Sequence, residues 1–241
     1  MDLPSLKASF MKVRNLFRRK EKVGGEDFRW FFIYGLPRSG STYALRQFRK
    51  ISKRVVGDWM MEDFALAFQR AAERDREHLN LDRLRGCFVE CLLNGARVGG
   101  GRIIDIAVKQ QSTSQVEYEF LAECFRVEAE RKIFLFREPK GWLRSTRKKF
   151  DVSDAKATHM YLRDLAQFRL IGGRPVRYQD LAGYLENIPE LRDVSLEPFE
   201  PRNEPSTAVP KEMMDAYEQF LETSYSKPWM ARKNLAVSEI E

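Results

Sequence analysis

The stretch that most limits how this chain can fold is IYGLPRSGST, Ile33 to Thr42. An apolar, β-favouring run, Trp30 to Tyr34, meets Gly35; Gly40 then precedes a segment of helical spacing that opens on Ser41. A strand feeding a helix through a glycine-bounded loop builds an anion cradle, because successive backbone N–H groups and the positive end of the helix converge on one point. The stretch matches the nucleotide-binding pattern GxxxxGK[ST] at Gly35, Gly40 and Thr42, but Ser41 stands where that pattern has lysine. Arg38 supplies a planar, permanently charged cation from inside the loop instead. Two readings follow: a degenerate ATPase loop, or a loop that holds a phosphate and never handles a γ-phosphoryl group.

The rest of the chain continues the alternation. Strands are predicted near 30–34, 54–56, 103–108, 132–136 and 176–178, and helices near 41–51, 62–76, 81–96, 115–128, 139–150 and 153–170. This pattern predicts an α/β fold, a P-loop-type parallel β-sheet flanked by helices on both faces, in a three-layer αβα sandwich. Ligands of such sheets lie beyond the carboxyl ends of the strands. The 241 residues fit one such domain, 28–241, behind a basic amphipathic segment, 1–27. Glu197 to Pro210, with four prolines, is expected to be a surface loop before a C-terminal helix.

Charge and composition narrow the function classes. Residues 1–22 carry seven cations against Asp2 and Glu21, five of the chain's seven net positive charges, so the remainder is nearly balanced and no nucleic-acid partner is expected. In that segment Leu6, Phe10, Val13 and Phe17 line one helical face, which fits a docked or frayed terminal helix and, as an alternative, weak contact with an anionic membrane surface. No apolar run approaches the ~18 residues of a membrane span, and the first thirty residues lack a signal-like apolar core, so the expected location is cytoplasmic. Cys87, Cys91 and Cys124 have neither disulfide nor zinc spacing and are expected to be buried packing residues, with no metal bound.

The ATPase reading needs a metal-binding aspartate, and Asp105 in GRIIDIAV offers one. Its place argues against it. At about 3.3 Å per residue, Asp105 lies ~13 Å below the strand end that Lys109 occupies. Lys109 therefore stands at the phosphate-binding edge, able to hold the transferred group or the substrate, or to serve as a strand-end surface residue.

Two segments together carry a resemblance. Pro37-Arg38-Ser39-Gly40-Ser41-Thr42 has the form P[KR][ST]G[ST]T, and FREPKGWLRS places Arg137 at a strand end, an RxP opening at Arg137 and Pro139, and Ser145 eight residues after the arginine. These resemble the two motifs of the sulfotransferases that use 3'-phosphoadenosine 5'-phosphosulfate (PAPS). The resemblance implies that the first loop binds the 5'-phosphosulfate and that Arg137 and Ser145 grip the 3'-phosphate. RYQDL, Arg177 to Leu181, is similar to a late segment of the family, which implies Tyr178 near the adenine; Tyr43 follows the loop where some members set an aromatic against the base. The likeness covers roughly Trp30 to Asn187.

The departures bear on the base. Cytosolic small-molecule members read KTH at the strand end, whereas this chain reads Lys109-Gln110-Gln111, and neutral glutamine cannot accept a proton. His78 and His159 fall near no motif and are expected on helices without a catalytic task. Other members use a glutamate after the second strand; Asp58, Glu62 and Asp63 lie in that region, with Glu62 the favoured base. The expected catalytic set is thus Arg38, Glu62 and Lys109, acting on a small-molecule or carbohydrate acceptor with PAPS as donor and no metal. A P-loop kinase or nucleotide hydrolase, and a non-catalytic nucleotide-binding module, are the rival readings.

Overall fold

The structure, a computed structural model, describes residues 30–57, 62–75, 77–98, 100, 104–109, 114–124, 129–201 and 208–225. Six strands, β1 (Trp30–Gly35), β2 (Ser52–Gly57), β3 (Arg97–Val98), β4 (Ile104–Lys109), β5 (Lys132–Phe136) and β6 (Arg174–Arg177), form one sheet in the order β3-β2-β4-β1-β5-β6. All neighbours pair in parallel except β2 and β3. The central strand, WFFIYG, is buried along its whole length, as its unbroken apolar run requires of a strand covered on both faces.

Alternation along that strand sorts the core. Trp30, Phe32 and Tyr34 join one apolar cluster, Phe31 and Ile33 the other; β5 divides the same way, with Phe134 and Phe136 opposite Ile133 and Leu135. Burial of each such side chain is worth about 1.5–3 kcal/mol. A slip of one residue would exchange the faces, so the register is held by the whole set.

The first cluster is completed by α2 (Glu62–Asp75), α3 (Leu81–Gly95), α4 (Gln115–Cys124), α5 (Pro139–Phe150), α6 (Asp154–Ile171) and α8 (Lys211–Phe220). The second is completed by α1 (Ser41–Arg49) and α7 (Leu181–Glu186). Local chemistry sets several ends: Pro139 opens α5 at the position where its missing N–H costs nothing, and the Ser153 side chain caps α6 by accepting from the Lys156 N–H. A π-helical turn, Leu221–Tyr225, follows α8. No described helix is long and apolar enough to cross a membrane.

The chain is therefore mixed α/β, and several details differ from the sequence reading. Arg97–Val98, where no strand was predicted, forms an antiparallel edge on β2, so the sheet is not purely parallel. Strand β6 ends at Arg177, which puts Tyr178 in the 3-10 turn that follows rather than in the strand. Pro175 is tolerated there because β6 is an edge strand. His78 sits exposed in a turn and not on a helix, and Cys87 is half-buried rather than buried. Residues 1–27, with the basic amphipathic stripe, and the side chains of Cys91 and Cys124 lie outside the described residues.

Candidate functional site

The loop between β1 and α1 is shaped by two positive dihedrals at its glycines, Gly35 (φ +124°) and Gly40 (φ +89°). A Cβ at Gly40 would also lie 2.5 Å from the Leu181 Cδ2, so another residue there would be strained by its φ and would have to displace that methyl. The Leu36 N–H donates to the Leu135 carbonyl at 2.9 Å, pinning the start of the loop to β5. Gly40 is the N-cap of α1, it has no side chain to cap with, and the first turn carries no acid. The positive end of the helix is therefore not neutralised by a carboxylate of its own first turn.

Of the loop side chains, Pro37, Ser39 and Ser41 are buried and Arg38 and Thr42 exposed. The Ser39 hydroxyl is wholly enclosed and has no hydrogen-bond partner among the described residues. Such an orphan costs about 1–3 kcal/mol. Arg38 adopts a left-handed backbone, φ +65°, which costs a residue with a Cβ about 1–2 kcal/mol. Backbone strain and an orphaned hydroxyl thus fall on adjacent residues of this loop.

Arg137 leaves the end of β5 and Ser145 stands on α5, and the fold brings both to the loop. The Arg38 Nε donates to the Ser145 Oγ at 3.1 Å, across 107 residues of sequence. An Nη1 of Arg137 reaches the Arg38 carbonyl at 3.5 Å, and its guanidinium lies 4.2 Å over the Tyr178 ring. On its other side the guanidinium meets Gly141, where a Cβ would stand 2.9 Å from Nε. Arg137 is thus buried between an aromatic face and a helix backbone. Two buried hydrogen bonds hold this geometry from behind: the Trp142 indole N–H to the Pro37 carbonyl and the Tyr161 hydroxyl to the Arg137 carbonyl, both at 2.8 Å. Burial, with Tyr217 and Glu138 nearby, raises the Tyr161 hydroxyl well above its ordinary value and keeps it a donor.

An aromatic wall adjoins the two motifs. Tyr43 and Tyr178 both contact Phe199, at ring-centroid distances of 4.4 and 5.2 Å. Phe199 belongs to a segment fastened onto α1. The Tyr43 hydroxyl donates to the Glu197 carbonyl, the Glu197 N–H to the Gln47 Oε1, and Lys50 to the Ser195 carbonyl. Residues 197–199 are accordingly tied down rather than loose at the surface. Burial first, then Glu197 and Glu186, raises the Tyr43 hydroxyl above its ordinary value, so it too remains a donor. Beyond Tyr178, Arg177 pairs with Asp180 at 2.9 Å and Tyr225 donates to the same carboxylate at 2.6 Å, tying the turn to the end of the π-helical segment.

The expected catalytic partners are not all gathered here. Glu62 is exposed at the first position of α2 and makes no hydrogen bond or ion pair among the described residues; Asp63 beside it is also exposed. Lys109 ends β4, level with Ile33 of β1 and Gly57 of β2, at the carboxyl edge of the sheet. Its side chain, with Asp58, Gln110 and Gln111, lies outside the described residues. A groove of about 410 Å³ runs between α2, α3 and α4 over Phe68 and Phe120, but no residue of either motif lines it. Converging cations and hydroxyls, not that groove, therefore mark the site. No protein-family model matches the chain, and no curated protein matches it.

Trp142, Tyr161, Gly141 and Phe199 are the residues of this site that sequence reasoning missed. Trp142 and Gly141 lie inside FREPKGWLRS, and their residue types were a usable signal: a glycine and a tryptophan in the first turn of a basic helix imply close approach and burial. Phe199 had none, standing in an aperiodic proline-rich stretch.

Proposed function

We propose that this chain is a PAPS-dependent sulfotransferase, built as a P-loop-type three-layer sandwich. The observation that carries the reading is the 3.1 Å hydrogen bond from Arg38 to Ser145, which joins the two motifs of the resemblance although 107 residues separate them. A γ-phosphoryl-transferring loop has no use for a second anion site built on the neighbouring strand end. A nucleotide phosphorylated at both 5' and 3' positions does.

In this reading the loop from Pro37 to Thr42 receives the 5'-phosphosulfate, Arg137 and Ser145 the 3'-phosphate, and the wall of Tyr43, Tyr178 and Phe199 the adenine. An acceptor hydroxyl attacks sulfur in line; the new S–O bond forms as the bond from sulfur to the bridging oxygen breaks, and 3',5'-adenosine bisphosphate leaves. Arg38 and the loop N–H groups offset the charge that develops on the bridging oxygen. Lys109, at the neighbouring strand end, is assigned to the transferred group. The acceptor proton passes to a carboxylate, for which Glu62 is the candidate, a contribution of typically 10²- to 10⁴-fold. The acceptor is a small molecule or a carbohydrate.

Scanning fluorimetry tests the reading with three ligands, because binding to the folded state raises the unfolding temperature by mass action. A large shift is expected with 3',5'-adenosine bisphosphate and a small one with 5'-AMP or with ATP and magnesium. An equal shift with 5'-AMP removes the 3'-phosphate site, and a shift with ATP and magnesium alone points to a kinase or hydrolase. Sulfuryl transfer from PAPS to any acceptor in a panel of alcohols, amines and saccharides then separates an enzyme from a binding module.

A further inference from the structure

The two proposed anion sites are braced by one pair of aromatic side chains, Trp142 and Tyr161, to which the resemblance assigns no role. Trp142 and Tyr161 are both fully buried, with ring centroids 5.0 Å apart and planes at 66°. Each spends its single polar hydrogen on a carbonyl next to a phosphate-binding position: Trp142 on Pro37, immediately before Arg38, and Tyr161 on Arg137 itself. A trans peptide is planar, so its C=O and N–H point opposite ways. Anchoring the Pro37 carbonyl into the core therefore turns the Arg38 N–H away from Trp142 and holds the peptide that leads into the left-handed Arg38. The Arg137 carbonyl, held by Tyr161, likewise sets the backbone from which the guanidinium departs between Gly141 and Tyr178.

We propose that Trp142 and Tyr161 are positioning residues that set the spacing of the two anion sites, Trp142 for the 5' side and Tyr161 for the 3' side, and so determine discrimination for a doubly phosphorylated nucleotide. The proposal rests on the nucleotide reading above. Neither side chain touches the ligand; each acts through a carbonyl. The Ser145 hydroxyl completes the brace. It accepts from Arg38 and keeps its own hydrogen for a ligand oxygen, a division that a hydroxyl permits and a carboxylate does not.

The test is isothermal titration of 3',5'-adenosine bisphosphate, 5'-AMP and 3'-AMP into the full chain and its variants. Trp142 is replaced by benzothienylalanine, an isostere with sulfur where indole carries N–H, so the packing is kept and the donor removed. Trp142→Phe serves as a second variant should incorporation fail. Loss of the indole donor is expected to weaken 5'-AMP about fivefold and leave 3'-AMP within twofold, and Tyr161→Phe to do the reverse. Opposite selectivity is a result that mere loosening of the core cannot produce. Equal losses for both monophosphates, or no loss in either variant, overturn the proposal. A wild-type protein that binds the bisphosphate no better than 5'-AMP overturns the nucleotide reading instead, so the two failures are distinguishable.

Discussion

Gly141→Ala isolates the 3' side of the site with a single methyl group. The added Cβ would lie 2.9 Å from Arg137 Nε, 3.1 Å from Nη2 and 3.2 Å from Cζ, where comfortable contact needs about 3.5 Å or more. The guanidinium must withdraw by at least about half an ångström, toward the Tyr178 ring that it faces at 4.2 Å. Its donors are thereby displaced from the position proposed to face the 3'-phosphate. The helix itself gains from the change, since alanine is favoured over glycine in a helix by about 1 kcal/mol. A charge-assisted hydrogen bond to phosphate is worth about 1.5–3 kcal/mol, so losing it weakens the bisphosphate by about 10- to 150-fold. Calorimetric titration should show that loss with 5'-AMP affinity kept within about twofold, while thermal unfolding shows a melting temperature unchanged or raised. Undiminished bisphosphate affinity in a folded Gly141→Ala protein would refute the placement of the 3'-phosphate against Arg137.

Two further outcomes follow from strain and burial. At position 38 glycine should be more stable than alanine by about 1 kcal/mol, the reverse of the usual order, because only glycine adopts φ +65° without cost; both Arg38→Gly and Arg38→Ala should abolish transfer, and urea unfolding showing the alanine variant the more stable would contradict the left-handed loop. Asp164 is fully enclosed, and burial, opposed by the Arg163 guanidinium 2.7 Å away, raises its carboxyl from the ordinary 3.8 to about 6. The native state then holds a proton that the unfolded chain releases between about pH 4 and 6. Stability is lost as pH rises through that window, by on the order of 3 kcal/mol at most. Asp164→Asn should flatten the profile, and an unchanged slope in unfolding at pH 5 and 7.5 would show that another group titrates.

How much of this could be read in advance depends on how local the cause is. Strand β1, the loop and the start of α1 are written in adjacent residues: an apolar run, two glycines and a helical spacing between them. Lys132–Phe136 and Pro139–Phe150 were equally legible, as an apolar run followed by a proline suited to a first helical position. The two-residue edge strand β3 was not, because its only cause is the unpaired side of β2. Glu62 shows the limit from the other side. Its place at the start of α2 was readable, yet its exposure places it with no partner among the described residues, and spacing alone could not reveal that.

By itself the sequence determined an α/β alternation and a glycine-bounded loop with an arginine in it, since dihedral preference, side-chain period and apolar runs act over a few neighbouring residues. Only the tertiary structure decided that Arg38 reaches Ser145, that Arg137 lies between Gly141 and Tyr178, and that Phe199 joins Tyr43. Those contacts depend on β1 and β5 lying side by side in register and on the 194–201 segment folding back over α1. They are set by the burial of two apolar faces at once, and no short window of sequence contains both.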